Sequence, residues 1–298
     1  DHNTAVGASA LLVNSTGAAN TAVGKSALAA NTTGASNVAV GYLALDANTT
    51  ANYITAVGEK ALSANTTGAK NTALGRATLQ AITTQSNNTA VGYNALSGGS
   101  NAASDNTAVG MDALTANTTG ANNVAVGVSV LAANTTASRN TAVGKDAMIA
   151  NTTGAENVAV GALALDANTT GNQNVAVGDA ALSTATTATA NTMVGKSAGT
   201  AITTGAENVG VGTSAMAAAT TGGSNVAVGY IALDANTTGS NNTAVGREAL
   251  SANTTANNNT AVGYVSGSSN TTGAGNVSVG ESSLKTNTEG DNNVGVGK

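Results

Sequence analysis

A five-residue motif returns every 17 residues along the chain of 298 residues, and this period constrains the fold more than any other feature. The motif reads Asn20-Thr21-Ala22-Val23-Gly24 in one unit, and its closing glycine occurs 18 times. A single spacing is 18 residues, between Gly92 and Gly110. A fixed period of this length is typical of stacked repeat architectures. The sequence therefore predicts one repeat array over residues 1–298, with no second domain.

The columns of the repeat predict β-strands. A typical unit reads N-[TV]-A-V-G-x-x-A-L-x-A-N-T-T-G-x-x, in which we name the columns by their order. The second column is Thr or Val in all 18 units, and the fourth is Val in all but one, where Leu74 stands. Alternating β-branched residues suit strands, whereas regularly spaced glycines interrupt a helix. We predict an all-β, parallel β-solenoid of about 17 coils, with one strand from Asn to Gly and a second over A-L-x-A.

The distribution of charge predicts which columns face water. Nearly all charged residues fall in five variable columns: two after the Gly, one after the Leu and two before the Asn. Alternation along an extended strand then places Thr21 and Val23 inside the first strand. It places Leu28 and Ala30 inside the second. The core is therefore expected to be aliphatic only.

The same assignment turns two alanine columns, headed by Ala22 and Ala27, towards the outside, although solvent would tolerate polar residues there. One explanation is that another backbone lies close against that face. The alternative is a duplicated sequence that has not diverged. This assignment also predicts that Val160→Asp disrupts neighbouring coils and that Lys196→Glu is nearly silent.

Two asparagine columns predict ladders of side-chain amides along the axis. Asn opens the unit in 17 of 18 cases, with Ile54 as the exception, and Asn31 and its counterparts recur in 12 of 17 units. Identical amides stacked about 4.8 Å apart can hydrogen-bond from coil to coil. One coil alone buries too little apolar surface to offset the entropy of ordering it, so each coil depends on its neighbours.

The composition excludes several classes of protein. The chain has no Cys, which excludes disulfides and thiolate chemistry, and His2 is its only His. A net charge of −5 with 10 Lys plus Arg argues against binding to nucleic acid. No apolar run is long enough for a membrane-spanning helix. We predict a protein that is not an enzyme and has no catalytic, metal or cofactor site.

Two short patterns have weak functional alternatives. Asp46, Asp166 and Asp234 precede A-N-T-T segments, as in a calcium loop, but the further acidic ligands of such a loop are missing. The N-T-T triplets match the acceptor sequence for N-glycosylation, and the alternative is a simple turn motif.

The string Asn37-Val38-Ala39-Val40-Gly41 resembles the S-V-A-I-G repeat in the heads of trimeric autotransporter adhesins of the YadA type. Related N-T-A-(V/I)-G repeats are similar to those of phage tail fibres. The resemblance implies a left-handed β-roll, three chains around one axis, an extracellular location on a cell surface, secreted filament or virion, and a role in attachment. This repeat is longer than that of the adhesin heads, and the sequence shows no neck, stalk or anchor.

Three functional hypotheses follow. The first is a structural or adhesive fibre segment, a homotrimer or homopolymer that binds a host-surface receptor or glycan. Its contact candidates are the tyrosines that follow the Gly, namely Tyr42, Tyr93, Tyr230 and Tyr264. The second is an ice-binding solenoid, because Thr32-Thr33 and their counterparts put one Thr per coil into an outward column. The third is a filament subunit that stacks through uncapped coil edges.

Overall fold

The computed structural model describes residues 2–98 and 104–298. In this part of the chain the regular structure is entirely β, as 18 strands of three residues each. The strands are β1 (Thr4–Val6), β2 (Thr21–Val23), β3 (Val38–Val40), β4 (Thr55–Val57), β5 (Thr72–Leu74), β6 (Thr89–Val91), β7 (Thr107–Val109), β8 (Val124–Val126), β9 (Thr141–Val143), β10 (Val158–Val160), β11 (Val175–Val177), β12 (Thr192–Val194), β13 (Val209–Val211), β14 (Val226–Val228), β15 (Thr243–Val245), β16 (Thr260–Val262), β17 (Val277–Val279) and β18 (Val294–Val296).

The chain forms two compact units, Asp1–Thr153 and Gly154–Lys298. In the first unit, β1 to β9 pair in sequence order, parallel and in register, so that Thr21 lies between Thr4 and Val38. In the second unit, β10 to β18 pair in the same way. The 18-residue spacing leaves this register intact, because Thr89 still pairs with Thr107. The predicted all-β, parallel solenoid with about 17 residues per coil is confirmed.

The predicted second strand is wrong. The A-L-x-A segment and the two residues before it form a turn, in which Ser26 and Leu28 have φ angles of 58° and 52°. Its backbone still joins neighbouring coils: the Ser26 N–H donates to the Ala8 carbonyl at 2.8 Å, and the Leu28 N–H donates to the Ala44 carbonyl at 3.0 Å. Left-handed residues at alternate positions bend the chain while these hydrogen bonds keep the coils stacked. The left-handed conformation costs about 1–2 kcal/mol for each non-glycine residue that adopts it. Burial of the Leu side chain offsets this cost.

The predicted orientation of the first strand is also wrong. Ala22 and Ala27 are completely buried, whereas Thr21 and Val23 point outwards and are half-exposed. The predicted orientation assumed that side chains alternate between inside and outside from the charged column after the Leu to the strand. The left-handed turn lies between these two segments and interrupts the alternation. The small size of the two alanine columns therefore reflects a narrow interior, and neither explanation offered for outward alanines applies.

The reversed orientation changes what single substitutions should do. Leu28 is buried as predicted, but Ala30 is only half-buried. Val160 is 37% exposed, so an aspartate there would reach water, and the basis for expecting Val160→Asp to disrupt the coils is wrong. Lys196 is exposed, in agreement with the expected silence of Lys196→Glu.

The interior is not aliphatic only, because both asparagine columns lie inside it. Asn20 and Asn31 are buried, and their Nδ2 groups donate to the same Gly34 carbonyl at 2.8 and 2.9 Å. Asn31 Nδ2 also donates to Asn14 Oδ1 of the preceding coil at 2.8 Å. These contacts confirm the predicted amide ladder. They also satisfy side chains whose unpaired burial would be unfavourable.

The opening asparagines form a second ladder through the backbone. The Asn37 N–H donates to Asn20 Oδ1 at 3.0 Å, and the same bond recurs from coil to coil. Where Ile82 replaces an asparagine of the other column, Asn65 Oδ1 has no hydrogen-bond partner. The ladder therefore depends on each column being filled in consecutive coils.

The N-T-T corner is held by one carbonyl oxygen. The Thr49 carbonyl accepts the N–H groups of Thr32, Thr33 and Gly34 at 2.9, 3.1 and 3.4 Å. The Thr32 hydroxyl donates to the same carbonyl at 2.9 Å. This accounts for the first threonine of the triplet, whose hydroxyl is used within the stack. The second threonine, Thr33, is exposed.

We expect Asn48→Ala to destabilise its part of the stack by about 2–4 kcal/mol. The substitution removes bonds from Asn48 Nδ2 to Asn31 Oδ1 and to the Ala51 carbonyl, and one from Asn65 Nδ2 to Asn48 Oδ1. Amide hydrogen exchange is the appropriate measurement, because repeat arrays open locally. Thr50→Ala, at an exposed position of the same coil, is the control and should leave protection unchanged. Equal protection in the two variants would contradict a structural role for the ladder.

Candidate interaction surfaces

The first and third residues of every strand form an outward surface that we call the strand face. In β2 these residues are Thr21 and Val23, and every other strand likewise supplies Thr or Val at its first place and Val at its third, apart from Leu74. No charged residue belongs to the strand face in any of the 18 strands. Sequence reasoning missed this surface because it placed both columns inside.

The strand face is apolar, regular and accessible. Val160, Val211 and Val228 are each 37% exposed, and the third residues of the other strands are exposed or half-exposed. Parallel strands lie about 4.8 Å apart, so the nine strands of one unit extend the face over roughly 40 Å. β-branched side chains have few rotamers, which keeps both rows stiff. An exposed apolar strip of this extent is typical of an interaction surface.

The four candidate tyrosines lie outside the strand face, in the column after the Gly. Tyr42, Tyr93, Tyr230 and Tyr264 are 45%, 46%, 51% and 47% exposed. Tyr42 and Tyr93 belong to the first unit, three coils apart, and Tyr230 and Tyr264 belong to the second, two coils apart. The structure thus confirms their exposure, and within each unit the two tyrosines lie in separate coils.

Each of these rings is stacked against a cation of an adjacent coil. Lys25 Nζ lies 5.8 Å from the centre of the Tyr42 ring. The Arg247 guanidinium lies between Tyr230 and Tyr264, at 5.7 and 5.6 Å from their ring centres. Such contacts contribute about 0.5–1 kcal/mol at exposed sites. The tyrosines therefore have a coil-joining role that sequence reasoning did not anticipate.

Tyr93 is held in the same manner. The Arg76 guanidinium lies 5.7 Å from the ring centre, and Arg76 Nη1 donates to the Tyr93 hydroxyl at 3.3 Å. Arg76 also pairs with Glu59 at 3.3 Å, while Arg247 pairs with Glu248 at 2.8 Å. The two arginines beside Tyr93, Tyr230 and Tyr264 are thus already paired with carboxylates, and the outer edges of these rings are their accessible part.

The residues behind the weaker alternatives from the sequence lie in separate coils or inside the stack. Asp46 lies in the first unit, whereas Asp166 and Asp234 lie four coils apart in the second. Within residues 2–98 and 104–298, no three His, Cys, Asp or Glu residues come together as metal ligands. The Asn31 amide of an N-T-T triplet is buried and donates two hydrogen bonds, so the folded coil does not present it for glycosylation.

No protein-family model, no curated protein and no solved structure matches the chain. The described residues contain no pocket and no helix that could cross a membrane. The strand face and the tyrosine column are therefore the features from which a function can be argued.

Proposed function

We propose that this chain is a non-enzymatic, extracellular fibre segment whose copies associate through the strand face and whose variable columns attach to a surface. The observation that carries the proposal is the outward valine column. Val occupies the third place of all strands except β5, although this place faces water in one isolated chain. If other copies of the chain cover this valine column, its side chains are buried in the assembly, which explains why the column is apolar in every coil.

The energetics of the strand face favour association along many coils. Burying the exposed third of one valine contributes about 0.5–1 kcal/mol. Association itself costs about 4–15 kcal/mol in lost translational and rotational freedom. The nine third-place residues of a unit, all Val in the second unit and Val with Leu74 in the first, would contribute roughly 5–9 kcal/mol, with the Thr and Val of the neighbouring column in addition. A few coils would not associate stably, whereas a long array would.

We propose three chains per fibre, on the strength of the resemblance to trimeric adhesin heads and tail fibres. Threefold rotational symmetry is also compatible with one strand face per chain, because the strand faces of three chains can meet around one axis and cover each other. The variable columns would then remain outside. The outer edges of Tyr42, Tyr93, Tyr230 and Tyr264 are our candidates for contact with a receptor or glycan.

The decisive measurement is the mass of the protein in solution, for the wild type and for V211D/V228D. Both valines are 37% exposed, so the carboxylates reach water in a single chain and the coils should still form. In a trimer the same carboxylates would be desolvated and would repel each other. We expect a trimeric wild type and a largely monomeric V211D/V228D variant, with unchanged circular dichroism.

The matched control is T221D/T238D, which introduces the same charge at exposed corner threonines of the same two neighbouring coils. This variant should remain trimeric. A monomeric wild type, or equal dissociation of the two variants, would contradict the proposed interface. Open-ended polymers that survive V211D/V228D would instead support the filament subunit that stacks through its coil edges.

An ice-binding solenoid is a second candidate, favoured by one specific observation. The strand face carries two parallel outward columns of small β-branched side chains on one strand, which the single corner column of Thr33 does not provide. This function needs a free strand face and therefore excludes the trimer. A monomeric wild type that shows thermal hysteresis and faceted crystals, both lost in V211D/V228D, would establish it.

A further inference from the structure

Two aspartates each have one buried carboxylate oxygen that lacks a hydrogen-bond partner. Asp46 Oδ1 and Asp234 Oδ1 are inaccessible to solvent and unpartnered. Both residues follow a fully or almost fully buried leucine, Leu45 or Leu233, in the same A-L-D-A-N-T-T segment. A buried anionic oxygen without a donor destabilises the folded state, because water solvates it in the unfolded chain.

The surroundings provide no cation that cancels this penalty at both sites. Lys60, on the following coil, is the charged group that acts on Asp46. Glu248, on the coil after Asp234, carries the same charge as that aspartate and is itself paired with Arg247. In the column of the aspartates, the preceding and following coils carry Ala29 and Ser63 beside Asp46 and Ala217 and Ser251 beside Asp234, all uncharged.

We propose that these two aspartates act as an acid-responsive device that makes their coils more resistant to unfolding when the carboxyl groups are protonated. Both side chains are half-exposed, with Oδ1 enclosed. Protonation removes the charge that Oδ1 shares without disturbing the ladders around it. The array would then be most stable in a mildly acidic medium. The device acts within the coils of one chain, so it does not rest on the association proposed above.

The direction of titration agrees with this geometry. Burial raises the pKa of Asp46 above its ordinary value of 3.8, while a backbone hydrogen bond and Lys60 act the other way. Burial also raises the pKa of Asp234; backbone hydrogen bonds from Asp234 and Ala235 act the other way, and Glu248 adds to the rise. A raised pKa means that the folded state holds its proton at a pH where the unfolded chain has lost it. Stability is therefore gained as the pH falls through the folded-state pKa, and the gain is complete below the unfolded value.

The test compares the wild type with D46N/D234N by denaturant unfolding at neutral pH and at about pH 4. Asparagine imitates the neutral carboxyl at both pH values. We expect D46N/D234N to have the higher unfolding midpoint at neutral pH, and to lose at least half of the acid-induced rise that the wild type shows. D112N/D179N, with one exposed and one half-exposed aspartate, is the control and should keep the full rise.

Two results would overturn the device: an acid-induced rise in D46N/D234N equal to that of the wild type, or an equal reduction of the rise in D112N/D179N. The mass in solution is measured at both pH values in the same samples. A change of mass with pH would report on association through the strand face, whereas the unfolding midpoint of samples of equal mass reports on the aspartates. The two proposals can therefore fail separately.

Discussion

Gly229→Ala is expected to destabilise its coil by about 4 kcal/mol or more. The glycine has a φ of 139°, outside the regions open to other residues. A Cβ built on it would lie 2.5 Å from the Gly246 carbonyl oxygen of the next coil. Neither strain can relax without separating two coils, because the backbone of each is fixed by its neighbours. This explains why all 18 units close their strand with glycine.

Gly239→Ala, in the corner that follows Gly229, is the control. A Cβ there would also approach the next coil, at the Ala256 carbonyl, but the φ of Gly239 is not positive. Alanine already occupies this column at Ala51 and Ala137. We expect a mild loss for Gly239→Ala, and local loss of hydrogen-exchange protection around Gly229 in the first variant. The added Cβ at Gly239 would approach the Ala256 carbonyl oxygen and Asn236 Oδ1 at least as closely as the Cβ at Gly229 approaches Gly246, so the two variants differ in φ and not in space. Comparable protection in the two variants would show that the positive φ is not the reason for glycine at the end of the strand.

A second large effect is expected for Gly199→Leu, together with its rescue. Most coils have Ala in the third column and Leu in the ninth, whereas one coil has the large Met193 in the third and Gly199 in the ninth. A Cβ on Gly199 would lie 2.8 Å from Met193 Sδ, so the two places share one volume in the interior. Gly199 has a φ of 62°, close to that of the leucines in other coils. The backbone therefore accepts Leu, and Met193 is the nearest group that excludes it, with Ile202 Cδ1 next at 3.0 Å from the added Cβ.

A double-mutant cycle measures this shared volume. Gly199→Leu should cost about 1–3 kcal/mol through overpacking, and Met193→Ala about 2–5 kcal/mol through a cavity. Met193→Ala combined with Gly199→Leu restores the ordinary coil and should recover most of the loss, a coupling on the order of 3 kcal/mol. Gly210→Ala, beside Met193 Sδ in the next coil, should be tolerated only where Met193 is replaced by Ala. Additive losses would show that the two places do not meet.

The repeat and the strands could be predicted because each depends on local preferences repeated in every unit. Thr21-Ala22-Val23 alternates as a strand does, and copies at a fixed spacing can pair only in parallel and in register. The amide ladder of Asn31 could be predicted for the same reason: identical residues in successive coils lie above one another.

The orientation of the columns could not be obtained in this way. Which of Ala22 and Val23 faces inwards depends on the left-handed φ of Leu28, and no local preference predicts that conformation for leucine. One signal in the sequence was informative and was not used. Met193 and Gly199 exchange large for small within one coil, as expected of two places that fill the same interior. That exchange would have placed the third column inside and the strand face outside.

The hydrogen bonds at the N-T-T corner have an electrical consequence. The N–H groups of Thr32, Thr33 and Gly34 all point to the following coil, whereas elsewhere in the coil the N–H groups of Ser26 and Leu28 point in opposite directions and largely cancel. Each coil therefore contributes a net dipole with its positive side towards the C-terminus, the reverse of an α-helix. Anions should be favoured on the side of a coil that faces the C-terminus, and cations on the other.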